Sequence, residues 1–246
     1  MASRKIILFI VEGITEQTCL AYTLSKLLND NQVEFAVLSG DITTRKGVTL
    51  SNAAAKIGDI VRGYASRTFR ASDFLEVVHL VDMDGAYISD DHVSLKRADT
   101  PSDPSKPQRP YYSKDHIYSN NVEAIITRNH QKAEILDKLI DINRVWKTIP
   151  YSVYYFSCNL DHIMHNNSNL VERDKYKYAH SFDKTYGNNP QAFLKFLLHT
   201  DFAVQGKYDE TWEFIKADHN SLNRYTNFHL YFSNPKNQRD TDHNKF

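Results

Sequence analysis

Ile6-Ile7-Leu8-Phe9-Ile10-Val11 is an uninterrupted apolar run that stops on Glu12-Gly13-Ile14-Thr15-Glu16. The arrangement returns at Phe74-Leu75-Glu76-Val77-Val78-His79-Leu80-Val81, which stops on Asp82-Met83-Asp84-Gly85. Short apolar runs rich in branched residues and closed by a glycine turn read as strands covered on both faces, as in parallel sheets. In an open α/β sheet, ligands bind outside the carboxyl ends of the strands. Here those ends carry Glu12, Glu16, Asp82 and Asp84. Like charges so placed repel unless a cation lies between them, and a hard divalent ion such as Mg²⁺ suits an all-oxygen set. A single acid after a strand is commonly an N-cap or a solvated turn. The repetition of order, strand context and spacing is what points to a metal site.

Working outward, Thr15 to Asn29 reads as a helix, with Leu20, Leu24, Leu27 and Leu28 at helical spacing. Val33 to Leu38 reads as strand two, closed by Ser39-Gly40-Asp41. Residues 51–65 read as a second helix and 74–81 as strand three. Alternating strands and helices imply a three-layer α/β fold with a parallel sheet. Right-handed crossovers place the ends of strands one and three on the same sheet edge.

After Gly85 the periodicity breaks. Pro101, Pro104, Pro107 and Pro110 punctuate a loop or ordered insertion over about 86–128, in which positive and negative residues balance. It reads either as a solvated flap or as a lid over the metal site. Residues 117–127 predict a short strand and Asn129 to Trp146 a helix. Val153 to Phe156 predicts strand four, ending on Ser157-Cys158-Asn159-Leu160-Asp161. Beyond residue 166 the pattern turns helical, over 190–200, 208–217 and 220–231, and 234–246 reads as a frayed tail. The expected organisation is a catalytic domain over 1–165, a helical C-terminal extension over 166–233, and the tail.

With 41% hydrophobic residues, the 246-residue chain can build a packed core. Thirty basic and thirty acidic residues cancel, which argues against nucleic-acid binding by a global basic field but not against a local groove. Cys19 and Cys158 suggest neither a disulfide framework nor a zinc site, and two reduced thiols fit a cytoplasmic protein. The apolar stretch ahead of Glu12 is too short for a signal core, and no segment approaches a membrane span.

Val11-Glu12-Gly13-Ile14-Thr15-Glu16, taken with Val81-Asp82-Met83-Asp84-Gly85, resembles the signature of the TOPRIM (topoisomerase–primase) fold. The resemblance covers about the first 165 residues. In so short a chain it is nearest to the OLD-family and RloB-like TOPRIM nucleases. It implies an open parallel sheet of about four strands flanked by helices, with an insertion after the third strand. It implies that Glu12 coordinates metal or exchanges a proton, and that Glu16, Asp82 and Asp84 share the metal, Mg²⁺ with Mn²⁺ as a substitute. Ser157-Cys158-Asn159-Leu160-Asp161 resembles a RloB-type Ser-Asn-Pro-x-x-Glu segment, with Asp for Glu and no proline. Asp161 is on that basis a further candidate ligand and Ser157 a candidate substrate contact.

Gly13 has no Cβ and lets the backbone approach a phosphate closely. Arg173, Lys175 and Lys177, interleaved with Tyr176 and Tyr178, are candidates for holding a phosphodiester backbone and stacking bases. His162 and His165 lie three apart beside Asp161, but no third His or Cys is spaced to complete a zinc site. The leading expectation is a Mg²⁺-dependent nuclease acting on DNA or RNA, which the resemblance places in bacterial anti-phage defence. The alternative is a non-catalytic TOPRIM-like module that binds nucleic acid or nucleotide beside a partner ATPase. In either case, removing Asp82 or Asp84 is expected to relieve repulsion and leave the metal-free fold as stable or more so.

Overall fold

The computed structural model describes residues 5–28, 32–38 and 41–233. The expected turn at Ser39-Gly40 and tail at 234–246 lie outside the described residues. The strands are β1 (Ile6–Val11), β2 (Gln32–Val37), β3 (Phe74–Asp82), β4 (Val93–Leu95), β5 (Tyr111–Tyr112), β6 (Ile117–Ser119), β7 (Arg144–Val145), β8 (Ile149–Ser157) and β9 (Tyr225–Thr226). The α-helices are α1 (Ile14–Leu27), α2 (Ala53–Ala65), α3 (Val122–Ile140), α4 (Leu160–His165), α5 (Glu172–Tyr186), α6 (Pro190–Leu197), α7 (Tyr208–Lys216) and α8 (His229–Ser233).

The central sheet runs β2-β1-β3-β8-β7, with β9 also pairing β8. β2, β1, β3 and β8 are mutually parallel, while β7 and β9 run antiparallel to β8. The sheet is therefore mixed but mostly parallel, and helices cover both faces. The continuous apolar runs follow from that double coverage. Along β1, Ile6, Leu8 and Ile10 enter one core with Ile57 and Val61 of α2, Leu136 and Leu139 of α3, and Trp212 of α7. Ile7, Phe9 and Val11 enter the other, with Leu20 and Leu24 of α1.

Residues 166–233 share both cores instead of building their own. Phe182, Phe193, Phe202, Phe228 and Tyr231 pack with Phe9 and Leu80, while Trp212 and Ile215 join the opposite face. Each fully buried side chain of this size contributes about 1.5–3 kcal/mol. The C-terminal layer is thus part of the sheet's stability. Within 220–231 the expected helix is replaced by a 3₁₀ turn at Asn220–Leu222, then β9 and α8. Pairing of Thr226 with Phe156 overrides local helical preference there.

Helix α3 begins at Val122, seven residues before the sequence predicts, because Asn121 caps it by accepting from the Ala124 N–H at 3.0 Å. The expected insertion boundary at 128 therefore falls inside a helix. α3 ends at Ile140, and the following residues turn into β7. The insertion is not a free flap. β4, β6 and β5 form a small sheet, and Val93, Tyr112 and Ile117 bury against Ile125, Cys158 and Leu222. Asn169 clamps Tyr112, accepting from its N–H at 2.8 Å and donating to its carbonyl at 2.7 Å. Arg109 donates to the Leu170 carbonyl at 2.9 Å, and Lys106 pairs with Glu172 at 3.1 Å.

Candidate acidic metal centre

Register sets the centre. Val11 of β1 lies level with Val37 of β2, Ile10 with His79 of β3, and Asp82 with Phe156 of β8. Four parallel strands thus present their carboxyl ends side by side. Glu12 follows β1, Asp41 follows β2, Asp82 closes β3, Asp84 sits in the turn beyond it, and Asp161 lies in the first turn of α4 after β8. Glu16 lies in the first turn of α1.

One carboxylate from each of Glu12, Asp41 and Asp84 lies within 4.8 Å of the others. Among the described residues this is the grouping of acids compact enough to hold a metal ion. The ammonium of Lys132, which is 0% exposed, sits against all three. It lies 2.8 Å from Asp41, 2.9 Å from Asp84 and 3.9 Å from Glu12. Lys132 projects from the middle of α3, on the stripe that carries Ile125, Asn129, Leu136 and Leu139.

The turn that aims Asp84 is left-handed at two successive residues, with φ of 50° at Asp84 and 74° at Gly85. Asp tolerates that conformation better than most residues, and Gly adopts it freely. A Cβ on Gly85 would also meet the Leu222 side chain at 2.6 Å and that of Ile117 at 2.9 Å. The Asp84 carboxylate accepts from the Tyr112 hydroxyl at 3.1 Å. Arg128 braces the pair, donating to Tyr112 Oη at 3.1 Å and to the Asp84 carbonyl at 2.8 Å. Burial raises the Asp84 carboxyl's pKa, but Lys132 and Arg128 outweigh it and hold it down to about 2. The expected relief of repulsion on removing Asp84 is therefore corrected: this carboxylate is a partner of Lys132. Glu12 behaves oppositely. Burial, then the Asp41 charge, pushes it well above the usual carboxylate range, and Lys132 offsets this only in part. Burial depresses Lys132, yet Asp41, Asp84 and Glu12 more than reverse that, so it stays protonated.

A second group adjoins the first. The Asp82 N–H donates to Glu12 at 3.4 Å, and the Asp82 carboxylate accepts from the Leu160 N–H at 2.9 Å. Burial raises Asp82 well above its ordinary value, helped by Glu16 and Asp84. Glu16 is also raised, by burial and by Asp161, against Lys175 and backbone N–H groups that lower it. One Glu16 oxygen, Oε2, is buried without a hydrogen-bond partner. A Cβ on Gly13 would lie 2.7 Å from that oxygen, so the glycine makes room for the Glu16 carboxylate. Lys175 pairs with Asp161 at 2.8 Å.

The strand ends thus bring together Glu12, Glu16, Asp82, Asp84, Asp161 and Lys175, all read from sequence. Ser157 is elsewhere: it is fully buried and its hydroxyl donates to the Asn220 carbonyl at 2.8 Å. Arg173 and Lys177 are exposed, because Lys175, Ala179 and Phe182 define the inward face of α5 and positions two residues away point out. His162 accepts from the Cys158 N–H at 3.3 Å, and His165 packs edge-on against Tyr178 and Phe182. Burial lowers both, His162 to about 4, so they are neutral packing residues. Both cysteines are buried and free. Sequence reading missed Asp41, Lys132, Tyr112 and Arg128. Asp41 had a usable signal, a third acid after a third apolar run. Lys132 had another, a lysine on an otherwise apolar helical stripe.

No protein-family model, curated protein or solved structure matches the chain. Among the described residues, no helix is long and apolar enough to cross a membrane. What the geometry supplies is an all-oxygen donor set at the carboxyl edge of a parallel sheet. The compact trio of Glu12, Asp41 and Asp84 could hold a metal ion, and the unpartnered Glu16 oxygen lies in the adjoining group.

Asp82→Asn is expected to stabilise the metal-free protein at pH 8 by roughly 1 kcal/mol, the size of a one-unit shift in a carboxyl's proton affinity. The sign follows from the raised folded-state pKa. The folded protein holds this proton more tightly than the unfolded chain, so stability from Asp82 is full below the unfolded value and declines as pH rises through the folded one. The Leu160 N–H retains an acceptor in the variant. Thermal melts from pH 4 to 8 check this. The advantage of Asn should vanish toward pH 4, and a variant less stable than the parent at pH 8 would contradict the assignment.

Proposed function

We propose that the protein is a Mg²⁺-dependent phosphodiester hydrolase that cuts or nicks DNA or RNA. The observation that carries this reading is the convergence of Glu12, Asp41, Asp82, Asp84 and Asp161 from the ends of four adjacent parallel strands, with lysines at their centre. Mg²⁺, or Mn²⁺ in its place, held by Glu12, Asp41 and Asp84 with Glu16, Asp82 and Asp161 adjoining, would polarise a phosphoryl oxygen and lower the pKa of a water molecule. The remaining chemistry belongs to the chain. Glu12, with its raised proton affinity, suits accepting a proton from the attacking oxygen. Lys132 and Lys175 keep positive charge where negative charge develops on phosphate. Tyr112 and Arg128 fix the Asp84 carboxylate. On the outer face of α5, exposed Arg173, Tyr176 and Lys177 suit tracking of a strand beside the centre. The TOPRIM-like signature is the basis for setting this activity in cytoplasmic anti-phage defence, among OLD and RloB-like relatives.

Lys132 favours a second reading. Its ammonium already neutralises part of the acidic trio, so the centre closes without a cation, as suits a module that binds nucleic acid or nucleotide beside a partner ATPase. One assay separates the two. Purified protein is incubated with Mg²⁺ or Mn²⁺ and supercoiled plasmid, single-stranded DNA or tRNA. Cleavage of at least one substrate, abolished by chelator, is expected. Binding without cleavage under every condition would leave the second reading.

A further inference from the structure

We propose that His92 and His219, completed by Asp91, form a binding site for a borderline transition-metal cation such as Zn²⁺, separate from the acidic centre. The inference does not rest on the nuclease reading. His92 closes the 3₁₀ turn at the start of the insertion, and His219 directly precedes the turn at Asn220–Leu222, 127 residues later in sequence. Their Nε2 atoms face each other at 3.1 Å. Two imidazole nitrogens bound to one Zn²⁺ at about 2.0–2.1 Å span a tetrahedral edge of about 3.3 Å. The rings therefore stand at ligand spacing.

The protonation pattern supports it. His92 Nδ1 lies 2.8 Å from the Asp115 carbonyl, which can only accept, so Nδ1 carries the proton and Nε2 presents a lone pair. A histidine whose other nitrogen donates to a backbone carbonyl is the usual arrangement behind a metal-bound imidazole. His219 Nε2 then donates to His92, and transfer of that proton to His219 Nδ1, the other neutral tautomer, lets both Nε2 atoms act as ligands to a cation. Asp91 Oδ2 is 3.9 Å from His92 Nε2 and its side chain is 80% exposed, while its Oδ1 accepts from the Ser89 hydroxyl at 2.5 Å, a bond it would release to swing onto the cation. His116 flanks the pair, its ring 4.8 Å from that of His92 and stacked on Tyr118. Two imidazoles, one carboxylate and a water suit Zn²⁺, Co²⁺ or Ni²⁺ better than Mg²⁺.

The site would act as a staple. Ser221 accepts from the Gly85 N–H at 3.1 Å, and Asn223 donates to the Lys114 carbonyl at 3.2 Å. A cation bridging His92 and His219 would pin this segment to the insertion and stiffen the wall behind Asp84. The test is titration of the full-length protein with Zn²⁺ by calorimetry and with Co²⁺ by visible absorption, in excess Mg²⁺ to fill the acidic centre. One equivalent should bind, with Co²⁺ bands of tetrahedral type, and Zn²⁺ should raise the melting temperature. His92→Gln and His219→Gln should each weaken binding at least about tenfold and lose the melting shift, with unchanged circular dichroism. Asp84→Asn should bind Zn²⁺ like the parent. Absence of Zn²⁺ binding by the parent, equal affinity in His219→Gln, or loss in Asp84→Asn alone would each overturn the proposal.

Discussion

Lys132→Met is expected to cost about 3–5 kcal/mol of stability at pH 8 in chelator, the penalty for stranding buried charge after one partner is removed. Met keeps the length and the apolar stem but leaves Glu12, Asp41 and Asp84 facing one another within 4.8 Å without an ammonium between them. Two responses identify the cause. The deficit should shrink toward pH 5, as stranded carboxyls take up protons. Millimolar Mg²⁺ should recover part of it, because a cation that binds only the folded state stabilises it by mass action. Denaturant melts with and without Mg²⁺ measure both. A cost under about 1 kcal/mol, within the range of ordinary surface changes, would mean that Lys132 is not the counter-ion of this cluster.

Glu12→Gln is expected to lower metal-dependent cleavage by at least about 10²-fold. The amide is nearly isosteric, and its oxygen can still accept from the Asp82 N–H, so packing is preserved. What is lost is charge and the capacity to take a proton. Loss of a buried carboxyl whose proton affinity is already high should not destabilise the fold. Inactivity together with an unchanged or raised melting temperature is therefore the expected pair of results. Turnover at the parent rate would remove Glu12 from the chemistry.

The parallel core was legible because strands buried on both faces must be apolar throughout, and Ile6–Val11 and Phe74–Val81 are nearly so. Their terminal acids were legible for the same reason: a charge that ends such a run lies at a sheet edge. The insertion was not, because its order comes from side chains clamping distant backbone, such as Asn169 on Tyr112 and Arg109 on Leu170. Composition shows the prolines and charges but not those partners. Lys132 was missed since a helical pattern is read from its apolar members, Ile135, Leu136 and Leu139, and a polar residue one turn ahead of them is assigned to solvent. Arg173 and Lys177 lie on the outer face of α5, apart from Lys175, because a helix separates residues two apart, which alternation in sequence does not show. Ser157 fell on the strand end as expected, but β9 and the Asn220 turn cover it.

The order of synthesis gives the Ser221–Gly85 contact another meaning. The acid-bearing runs Ile6–Val11 and Phe74–Asp82 leave the ribosome well before His219 to Tyr231, which hold the Asp84 turn from behind and fill the core beneath Phe9. A nascent chain halted before residue 219 would lack the Ser221 acceptor, the Leu222 side chain against Gly85, and the Phe228 and Tyr231 rings. Such long-range contacts form late, after the closure entropy of the intervening chain has been met. The Asp84 turn would therefore wait on a segment made long after it before its geometry is fixed.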